Sequence, residues 1–411
     1  MKLYEELEWR ESVAQISDEK LKDVLNSGNS KFYLGIDPTG DGLHVGHLFG
    51  LINCKRLQMA GHTPILLVGG ATGMIGDPSG KSAERNLLTK DDIDHNVRCI
   101  KAEIEKFVDA KIVNNYDWTV QYDVITFLRD VGKYFNINNM LAKESVKSRL
   151  ENGISFTEFT YQVLQGLDYL KLYQAEGVTL QVGGTEQWGN IIAGMDLIRK
   201  VEGHEVETFG FNWPLITKRD GTKFGKTESG AVWLSPEKTS PYEFYQFWFN
   251  TQDADVMKYL KQFTFLSVEQ INEIEESFKA EPHRRVAQKS LAEELTKMVH
   301  GDEGFEQALN ITQALFSGNI QGLNAKEIEI GFGDVLAGEI NEDMILVDAL
   351  ITAGLAKSKR ESREFINGNA VSVNGDKVTD LEHLISKGNA IEGKFTVLRR
   401  GKKKYAMLRH V

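Results

Sequence analysis

Two histidines flank a Val-Gly pair in the segment His44-Val-Gly46-His47. An apolar run (residues 32–36) and a turn-rich stretch come before this segment, and a helical pattern (residues 48–60) follows it. A helix that begins after a strand and a glycine-rich turn presents free backbone N–H groups at its N-terminus. The positive end of the helix dipole lies at the same place, and both favour the binding of an anion. Gly46 would let a nucleotide lie against the backbone. The pattern predicts a nucleotide-phosphate site, and a pair of capping or core histidines is the alternative.

Four cations lie in a glycine-punctuated segment that follows the apolar residues 213–216. This segment is Lys218-Arg-Asp-Gly-Thr-Lys223-Phe-Gly-Lys226-Thr227. Two lysines three residues apart, Lys223 and Lys226, can contact a polyphosphate and follow negative charge as it moves to a leaving group. We interpret the segment as a phosphate-contacting loop, and a solvated surface turn is the alternative.

A third glycine-rich stretch, GGATGMIGDPSGKS, occupies residues 69–82. Its spacing excludes a P-loop, because the position that needs the first glycine of that motif holds Ile75. The stretch instead predicts a loop between a strand and a helix, with Asp77 facing a ligand. Lys81 and Arg85 would then help to hold phosphates. A plain mobile loop is the alternative.

The composition is that of an ordinary globular protein, with 41% apolar and 26% charged residues in 411. A net charge of −11 excludes a uniformly basic, histone-like binder. Residues 342–411 hold 13 Lys and Arg against 9 Asp and Glu, a formal +4 against −15 for the remainder. This asymmetry predicts that the C-terminal end contacts a polyanion.

The two cysteines, Cys54 and Cys99, form neither a CxxC motif nor a Cys/His cluster. They predict no metal site and no disulfide framework, which fits a reducing cytosol. The acidic N-terminal residues do not resemble a signal peptide, and the longest apolar runs are too short to span a bilayer. We therefore predict a cytoplasmic protein with no membrane association.

Short apolar runs alternate with helical stretches between about residues 31 and 220. The runs are 32–36, 64–70, 111–113 and 178–184. Such alternation predicts an α/β fold with a Rossmann-like, mostly parallel sheet, which binds ligands at the carboxyl ends of its strands. Residues 1–28 and 241–330 are typical of helices, 331–342 of a linker, and the remainder of short helices and strands.

This organisation predicts three domains. The first, residues 1–220, would combine a helical N-terminal segment with the Rossmann-like catalytic domain. The second, residues 221–330, would hold the KFGKT loop and an all-helical domain. The third, residues 343–411, would be a small α+β RNA-binding domain.

The paired motifs resemble the ATP-binding motifs of class I aminoacyl-tRNA synthetases, which carry HxGH early in the chain and a KxxK loop further along. KFGKT stands here where that class usually has KMSKS. Within the class, the chain most closely resembles the bacterial tyrosyl-tRNA synthetases, over essentially its whole length. The matching segments are residues 33–39, 69–81, 114–118, 156–168, 183–190 and 239–248, together with the C-terminal end.

The resemblance assigns L-tyrosine binding to Tyr33, Asp77, Tyr161, Gln165, Asp168 and Gln187. Asp168 and Tyr33 would bracket the phenolic hydroxyl, and Asp77, Tyr161 and Gln165 would hold the ammonium group. The spacing of Tyr161, Gln165 and Asp168 puts them on one face of a helix. Because Gln and Asp are costly to bury without partners, this face favours a binding site over a structural network.

The resemblance implies a ligase of protein biosynthesis. It would activate L-tyrosine with ATP to tyrosyl-adenylate and pyrophosphate, and then transfer tyrosine to the terminal ribose of tRNA(Tyr). Catalysis would come from positioning and charge stabilisation. We assign this work to Thr39, His44, His47, Lys81, Arg85, Lys223, Lys226 and Thr227. ATP itself would contact His44, Gly46, His47, Glu186 and Lys226.

Magnesium would accompany ATP and bind mainly through the phosphates, and no protein-bound metal is predicted. The resemblance also implies a homodimer. Two positions depart from the family pattern. Leu34 stands where members often carry Cys, and Glu186 stands where many carry Asp at a position associated with the nucleotide ribose. A longer carboxylate can still accept hydrogen bonds from ribose hydroxyls.

The C-terminal segment resembles the small RNA-binding domain named after ribosomal small-subunit protein four. Five cations there form a basic cluster between two strand-like runs. They are Arg399, Arg400, Lys402, Lys403 and Lys404. Such a cluster would neutralise RNA phosphates and make binding salt-dependent. A solvated charged turn is the alternative.

Two other functions are consistent with parts of the pattern. A nucleotidyltransferase can carry HxGH, but it would not need the paired Tyr33 and Asp168 or a C-terminal RNA domain. A non-catalytic RNA-binding relative could keep the scaffold, but the intact histidines and lysines disfavour it. A tryptophanyl-tRNA synthetase would not need a Tyr–Asp pair, because an indole carries no hydroxyl.

Overall fold

The computed structural model describes residues 1–79, 87–147, 149–150, 153–217, 224–227, 230–318, 320–401 and 404–411. For Glu144, Ser145, Lys226 and Thr227 it describes the backbone alone. The chain forms two compact units, and two segments of the chain contribute to each. Unit 1 consists of Met1–Lys238 and Thr251–Leu291, and unit 2 consists of Thr239–Asn250 and Ala292–Val411.

A six-stranded sheet lies in unit 1. Its strands are β1 (Gln15–Ile16), β2 (Lys31–Ile36), β3 (Thr63–Val68), β4 (Lys111–Asn114), β5 (Leu180–Gly184) and β6 (Phe209–Trp213). The spatial order is β1-β6-β5-β2-β3-β4, with every pair parallel except β1 and β6. The central strands are buried along most of their length, as expected for a parallel sheet covered on both faces. The predicted Rossmann-like, mostly parallel sheet is confirmed.

Helices surround this sheet. They are α1 (Leu3–Trp9), α2 (Leu21–Ser27), α3 (Val45–Met59), α4 (Thr72–Ile75), α5 (Lys90–Phe107), α6 (Tyr116–Thr119), α7 (Val124–Asp130), α8 (Ile137–Leu141), α9 (Glu144–Lys147), α10 (Phe156–Glu176), α11 (Trp188–Glu202), α13 (Asp253–Phe263) and α14 (Val268–Ala280). A two-stranded ribbon, β7 (Lys226–Thr227) with β8 (Gly230–Ala231), completes the described part of unit 1. Leu167, Leu172 and Ile198, from α10 and α11, are fully buried in a core that includes strand residues.

Two strand assignments differ from the sequence-based prediction in unit 1. Residues 1–28 were expected to be helical throughout, but β1 interrupts them between α1 and α2. Strand β6 was not predicted, because FGFNW combines Gly and Asn with aromatic residues and lacks a run of β-branched residues. Both strands owe their structure to pairing: Gln15 and Ile16 lie opposite Asn212 and Phe211.

Two buried arginines attach the end of helix α13 to the rest of unit 1. The Arg10 guanidinium donates to the carbonyl oxygens of Lys261, Thr264 and Leu266. Arg56, on α3, donates to the carbonyls of Lys261, Gln262 and Thr264 at 2.8–3.2 Å. These carbonyls lie at and just beyond the helix end, where the dipole is negative and attracts cations. The two arginines therefore fix α13 against α3.

Unit 2 combines helices with two small sheets. The helices are α12 (Pro241–Phe249), α15 (Val286–Ser317, kinked at Gly301, with residues 292–317 in unit 2), α16 (Ala325–Phe332), α17 (Leu346–Thr352) and α18 (Lys359–Asn367). The strands are β9 (Leu336–Ile340), β10 (Met344–Ile345), β11 (Val371–Val373), β12 (Asp376–Lys377), β13 (Leu384–Ile385), β14 (Phe395–Arg400) and β15 (Lys404–His410). Five of them form a sheet in the order β12-β11-β14-β15-β9, and β10 pairs with β13.

The predicted linker at 331–342 is wrong. Residues 336–340 form β9, which pairs in parallel with the last strand, β15. An acidic, glycine-containing stretch gives no local signal for this pairing, since its partner lies about seventy residues further along the chain. No described helix is long and apolar enough to cross a membrane.

Candidate active site

A cavity of about 240 Å³ lies beside the carboxyl ends of β2 and β5, where ligands bind in open α/β sheets. All six predicted tyrosine-binding side chains line it, and so do four residues predicted to contact or activate ATP. These ten residues are Tyr33, Thr39, Gly46, His47, Asp77, Tyr161, Gln165, Asp168, Glu186 and Gln187. The structure therefore brings residues from widely separated segments into one site.

The Tyr33 hydroxyl lines this cavity and is buried. Tyr33 is 1% exposed, and its hydroxyl has no hydrogen-bond partner among the described residues. The pKa of this phenol lies well above its ordinary value, first because of burial and second because of the nearby Asp168 carboxylate. A buried hydroxyl without a hydrogen bond is destabilising. Its presence therefore points to a polar ligand group that forms the missing hydrogen bond.

The Asp168 carboxylate is held by two donors. The Asn115 side-chain amide donates to one oxygen and the Trp118 indole N–H to the other, both at 2.9 Å. Burial raises the pKa of the Asp168 carboxyl to about 7, while the two donated hydrogen bonds act against that rise. A carboxylate fixed in this way can accept a further hydrogen bond from a phenol.

Helix α10 presents three predicted site residues on one face, as their spacing required. Ser155 begins the helix by accepting a hydrogen bond from the backbone N–H of Glu158, and the helix then runs for 21 residues. Tyr161 and Asp168 are buried, and the Gln165 side-chain oxygen is buried without a partner among the described residues. Like the Tyr33 hydroxyl, this oxygen is available to a ligand donor.

Two further carboxylates, Asp37 and Asp77, line this cavity. Asp77 accepts hydrogen bonds from the Gln187 amide at 2.6 Å and from the Ser79 backbone N–H at 2.8 Å. The Tyr161 hydroxyl donates to Asp37 at 2.8 Å, and burial raises its pKa well above the ordinary value. These two carboxylates provide negative charge suited to an ammonium group.

Sequence reasoning missed four residues that hold this site together. They are Asp37, Thr72, Asn115 and Trp118. Thr72 donates to Asp37 at 2.7 Å and accepts from Asn115 at 3.0 Å, so one network extends from Asp37 to Asp168. The available signal for Asp37 was its position directly after β2, at the edge of the sheet where ligands bind. Asn115 and Trp118 lay within a matched segment, but their spacing gave no chemical reason to single them out.

Both histidines of the HVGH motif cap helix α3. The Nδ1 atom of His44 accepts from the backbone N–H of Gly46 at 3.0 Å, and Nδ1 of His47 accepts from the backbone N–H of His44 at 3.2 Å. The rings lie 4.0 Å apart, and a Cβ on Gly46 would approach the His44 ring to 2.7 Å. The position of the His44 ring therefore requires glycine at residue 46. The missing side chain also leaves the backbone open to a ligand.

The capping bonds also show that Nδ1 is the accepting nitrogen of each ring. Burial, together with the His44 imidazole, lowers the pKa of His47 to about 3, so that ring is neutral. A neutral imidazole whose Nδ1 accepts a hydrogen bond carries its proton on Nε2. The capping alternative is thus compatible with the phosphate-binding prediction, because a capping ring still has an Nε2–H donor.

Two residues of the KFGKT loop connect this loop to the rest of unit 1. The Phe224 ring lies 4.9 Å from Tyr259 and 5.5 Å from Phe263, both on α13. Gly225 has φ +82°, and a Cβ there would approach Val45 Cγ2 to 2.8 Å. The loop backbone at Gly225 therefore lies directly against the HVGH motif, as a shared ATP site requires.

Several predicted residues lie outside the described part of the chain. They are Lys81, Arg85, Lys223, Lys402 and Lys403, and the side chains of Lys226 and Thr227. Glu186 lies in a short 3-10 helix, Thr185–Gln187, and burial raises the pKa of its carboxyl above the usual range. No group of three or more potential metal ligands occurs among the residues that the structure describes.

The described part of the basic C-terminal cluster lies at the β14–β15 turn of unit 2. Lys404 is exposed, and Arg399 donates to the Gly401 carbonyl at 2.8 Å and lies over the Tyr405 ring. Arg400 instead donates to the Leu355 carbonyl at 2.5 Å and lies over the Phe365 ring. Arg400 thus has a structural role alongside its predicted RNA contact.

Two family descriptions match the chain. Residues 25–317 match the tRNA synthetases of class I (W and Y), and residues 327–408 match the tyrosine–tRNA ligase SYY-like C-terminal domain. The tyrosine–tRNA ligases of Geobacillus stearothermophilus and Bacillus caldotenax are each 54% identical over 420 aligned positions, which span all of both chains. The chain belongs to the tyrosyl-tRNA synthetases. This membership confirms the resemblance predicted from the sequence.

Solved tyrosyl-tRNA synthetases share the architecture. A C-terminally truncated mitochondrial enzyme from Aspergillus nidulans is 30% identical with a TM-score of 0.68, covering 77% of this chain and 94% of that one. The Archaeoglobus fulgidus enzyme, solved with L-tyrosine, is 16% identical with a TM-score of 0.57, covering 75% and 100%. The second likeness supports the class I fold alone.

Proposed function

We propose that this protein is a tyrosine–tRNA ligase, which activates L-tyrosine with ATP and attaches it to tRNA(Tyr). The observation that carries the proposal is the buried Tyr33 hydroxyl, which has no described partner and lines the same cavity as Asp168. A phenol between them would donate to the Asp168 carboxylate and accept from Tyr33. Phenylalanine would leave the Tyr33 hydroxyl unsatisfied and would offer no donor to Asp168, and an indole would not offer a hydroxyl to either.

The ammonium group of the substrate belongs beside Asp77 and Asp37, which both line the cavity. Asp77, Tyr161 and Gln165 were assigned to it, and the Gln165 oxygen is buried without a described partner. Asp37 adds a second carboxylate through its hydrogen bond from Tyr161. Gln187 contributes by holding Asp77 in place.

In the first chemical step, the substrate carboxylate attacks the α-phosphorus of ATP. One oxygen–phosphorus bond forms, the bond to the β-phosphate bridge breaks, and pyrophosphate leaves with the electron pair. No protein nucleophile is needed, so catalysis rests on positioning and on stabilising the charge that builds on the phosphates. His44 and His47 would donate through Nε2–H, and Thr39, Lys81, Arg85, Lys223, Lys226 and Thr227 would supply the remaining contacts.

In the second step, a hydroxyl of the terminal tRNA ribose attacks the carbonyl carbon of tyrosyl-adenylate, and AMP leaves. Glu186 lines the cavity and would accept hydrogen bonds from the nucleotide ribose. Magnesium would enter with ATP as part of the substrate, bound mainly through phosphate oxygens and water. We assign catalysis to residues 1–220 with the KFGKT loop, and tRNA binding to the segments after it, including residues 343–411.

We also propose a homodimer that acts in the cytoplasm. Eight apolar side chains between residues 120 and 156 of unit 1 are more than a third exposed. They are Val120, Val124, Ile125, Leu128, Ile137, Leu141, Leu150 and Phe156. Such a concentration of exposed apolar surface marks an interaction site, and a second copy of the chain is the partner that family membership favours.

ATP–pyrophosphate exchange, measured separately with each amino acid, tests the proposed activity. Exchange should occur with L-tyrosine and fall sharply with phenylalanine and tryptophan, and charging should require tRNA(Tyr). Exchange with another amino acid would contradict the pocket assignment. Exchange with none, combined with retained RNA binding, would instead identify a non-catalytic RNA-binding relative.

A further inference from the structure

Residues 232–234 connect the two predicted ATP motifs through backbone hydrogen bonds. The backbone N–H of Val232 donates to the carbonyl of Gly225, in the KFGKT loop, at 3.2 Å. The Val232 carbonyl accepts from the backbone N–H of Val45, in the HVGH motif, at 3.0 Å. This short segment is therefore bonded to the loop on one side and to the first residue of α3 on the other.

The Trp233 side chain of this segment lies against the first histidine of the HVGH motif. Trp233 and His44 are paired in an antiparallel bridge, and their rings lie 6.1 Å apart at an interplanar angle of 67°. The same imidazole lies 4.0 Å from the His47 ring and accepts from the backbone N–H of Gly46. Trp233 thus contributes to the orientation of the His44 ring from outside the motif.

Lys238 holds the Trp233 ring in turn. Its ammonium nitrogen lies 4.5 Å from the centre of the indole ring, whose face attracts a cation. The same nitrogen pairs with the Asp41 carboxylate and donates to the Asp41 carbonyl at 3.1 Å. The hydrogen bond from Lys238 lowers the pKa of the Asp41 carboxyl below its ordinary value, so the carboxyl is charged at neutral pH.

The turn that precedes the HVGH motif lies against the same two side chains. A Cβ on Gly42 would approach the Trp233 ring to 3.5 Å and the Lys238 ammonium nitrogen to 3.6 Å. The backbone N–H of Leu43 donates to the Glu103 carboxylate, on α5, at 2.6 Å. The turn is thus held by α5 and by the Trp233–Lys238 pair.

We propose that Trp233 and Lys238 are positioning residues for His44 in the formation of tyrosyl-adenylate. The inference rests on the proposed tyrosine-activating function and adds two residues to the support of its ATP site. Both residues lie outside the set of described residues that line the cavity, so they act through His44 and not on the substrate. Because residues 232–234 are also bonded to Gly225, the Trp233–His44 contact relates the orientation of this histidine to the position of the KFGKT loop.

The first test measures the pre-steady-state rate of tyrosyl-adenylate formation in Trp233→Ala and Trp233→Phe. Trp233→Ala should slow this step by about ten- to a hundred-fold, because the His44 ring loses a neighbour that fixes its orientation. Trp233→Phe keeps an aromatic ring at this position and should recover most of the rate. The Kd for tyrosine should equal that of wild type in both variants, since the tyrosine pocket is unaltered.

The His44→Ala background separates positioning from general packing. In that background the ring that Trp233 orients is gone, so adding Trp233→Ala should slow adenylate formation by no more than about two-fold. A second loss as large as that of Trp233→Ala alone would overturn the proposal, because it would show that Trp233 acts independently of His44.

Lys238→Gln should slow the same step by about two- to five-fold, the factor that corresponds to an exposed cation–aromatic contact. Lys238→Arg keeps the cation and should restore the rate. Lys22→Gln is the matched control, because Lys22 pairs with Glu19 at 2.7 Å and lies 5.1 Å from the centre of the Tyr4 ring. It should form adenylate at the wild-type rate. No loss in Lys238→Gln, or an equal loss in the control, would overturn the role of Lys238.

Tyrosine affinity shows whether each variant is folded. If Trp233→Ala failed to bind tyrosine, Trp233→Phe and Lys238→Gln, which make smaller changes, would decide the question by the same rates. A wild-type rate in a folded Trp233→Ala variant would overturn the positioning role and leave the proposed function in place. If the wild-type protein itself formed no tyrosyl-adenylate, the proposed function would fail, whatever the variants did.

Discussion

At the scale of single residues, the cavity proposed to bind tyrosine is incomplete in a specific way. Asp168 already accepts two hydrogen bonds, while the nearby Tyr33 hydroxyl has none from the described residues. If the pocket served stability alone, that hydroxyl would have a hydrogen-bond partner, or residue 33 would be phenylalanine. The unsatisfied group lowers stability, and a ligand carrying a phenol would recover that loss on binding.

Removing this hydroxyl should affect specificity more than stability. Tyr33→Phe and Asp168→Asn should each reduce the tyrosine/phenylalanine ratio of kcat/KM, by an amount equivalent to about 0.5–3 kcal/mol. Tyr169→Phe is a matched control, because its buried hydroxyl donates to the Phe209 carbonyl and its ring packs against Tyr33. That control should lose stability and keep the ratio. An unchanged ratio in both site variants would show that the phenol binds elsewhere.

Stability should also depend on pH through Asp168. Its pKa rises from 3.8 to about 7 on folding because the carboxyl is buried. The folded chain then holds this proton more tightly than the unfolded chain. Its stabilising contribution is therefore complete below pH 3.8 and is lost as the pH rises to 7, by at most about 1.4 kcal/mol per pH unit.

Asp168→Asn isolates this effect, since the amide does not titrate. It adds a constant loss, because it can accept from only one of Asn115 and Trp118. Urea unfolding of both proteins without tyrosine, at several pH values from 4.5 to 7.5, should show the advantage of wild type shrinking as the pH rises. A difference that is the same at every pH would rule out the raised pKa.

At the scale of elements, the KFGKT loop is positioned from two sides. Phe224 packs on helix α13, which Arg10 and Arg56 hold, and Gly225 lies against Val45 of the HVGH motif. The backbone that carries Lys226 is thereby set relative to the histidines. Precise placement of this kind matters because small shifts of catalytic groups reduce rates strongly.

Gly225→Ala should slow adenylate formation by roughly ten- to a hundred-fold, because it adds a contact with Val45 to the strain of a positive φ. Gly230→Ala is the matched control: its φ is +113°, but a Cβ there meets no atom of the described residues within 4 Å. Gly225→Ala combined with Val45→Ala should recover part of the rate. Pre-steady-state kinetics would measure the rate, and the Kd for tyrosine should stay constant. Equal losses in the two glycine variants would exclude the Val45 contact as the cause.

The sequence predicted local features of this site well. Helical spacing put Tyr161, Gln165 and Asp168 on one face, and glycine-rich turns after apolar runs located the ligand edge of the sheet. It could not predict which distant segments meet. Nothing local pairs Tyr161 with Asp37, 124 residues away, or places Phe224 against α13. The prediction of a linker in place of strand β9 fails for the same reason, because pairing with β15 gives this strand its structure.

At the scale of the whole molecule, the exposed apolar side chains between residues 120 and 156, most of them on α7, α8 and α10, predict a dimer. Ile125 on α7 is 70% exposed, so Ile125→Glu should not disturb the core and should shift the protein toward monomers. Met59→Glu changes an equally exposed residue outside this surface and should remain dimeric. Sedimentation at several protein concentrations would measure the oligomeric state of wild type and of both variants. A wild-type monomer at all concentrations would contradict the proposed assembly.

The binding of Arg10 and Arg56 to the end of helix α13 has a consequence for synthesis of the chain. The carbonyls that Arg10 binds lie 251 to 256 residues later in the sequence, and those that Arg56 binds lie 205 to 208 residues later. At translation rates of about 5–20 residues per second, each arginine is synthesised roughly 10 to 50 s before the carbonyls that it binds. During that interval, water or local partners such as Glu6, which pairs with Arg10, must satisfy the two guanidinium groups. Arg10 and Arg56 can complete their contacts with the end of α13 only after residue 266 has left the ribosome.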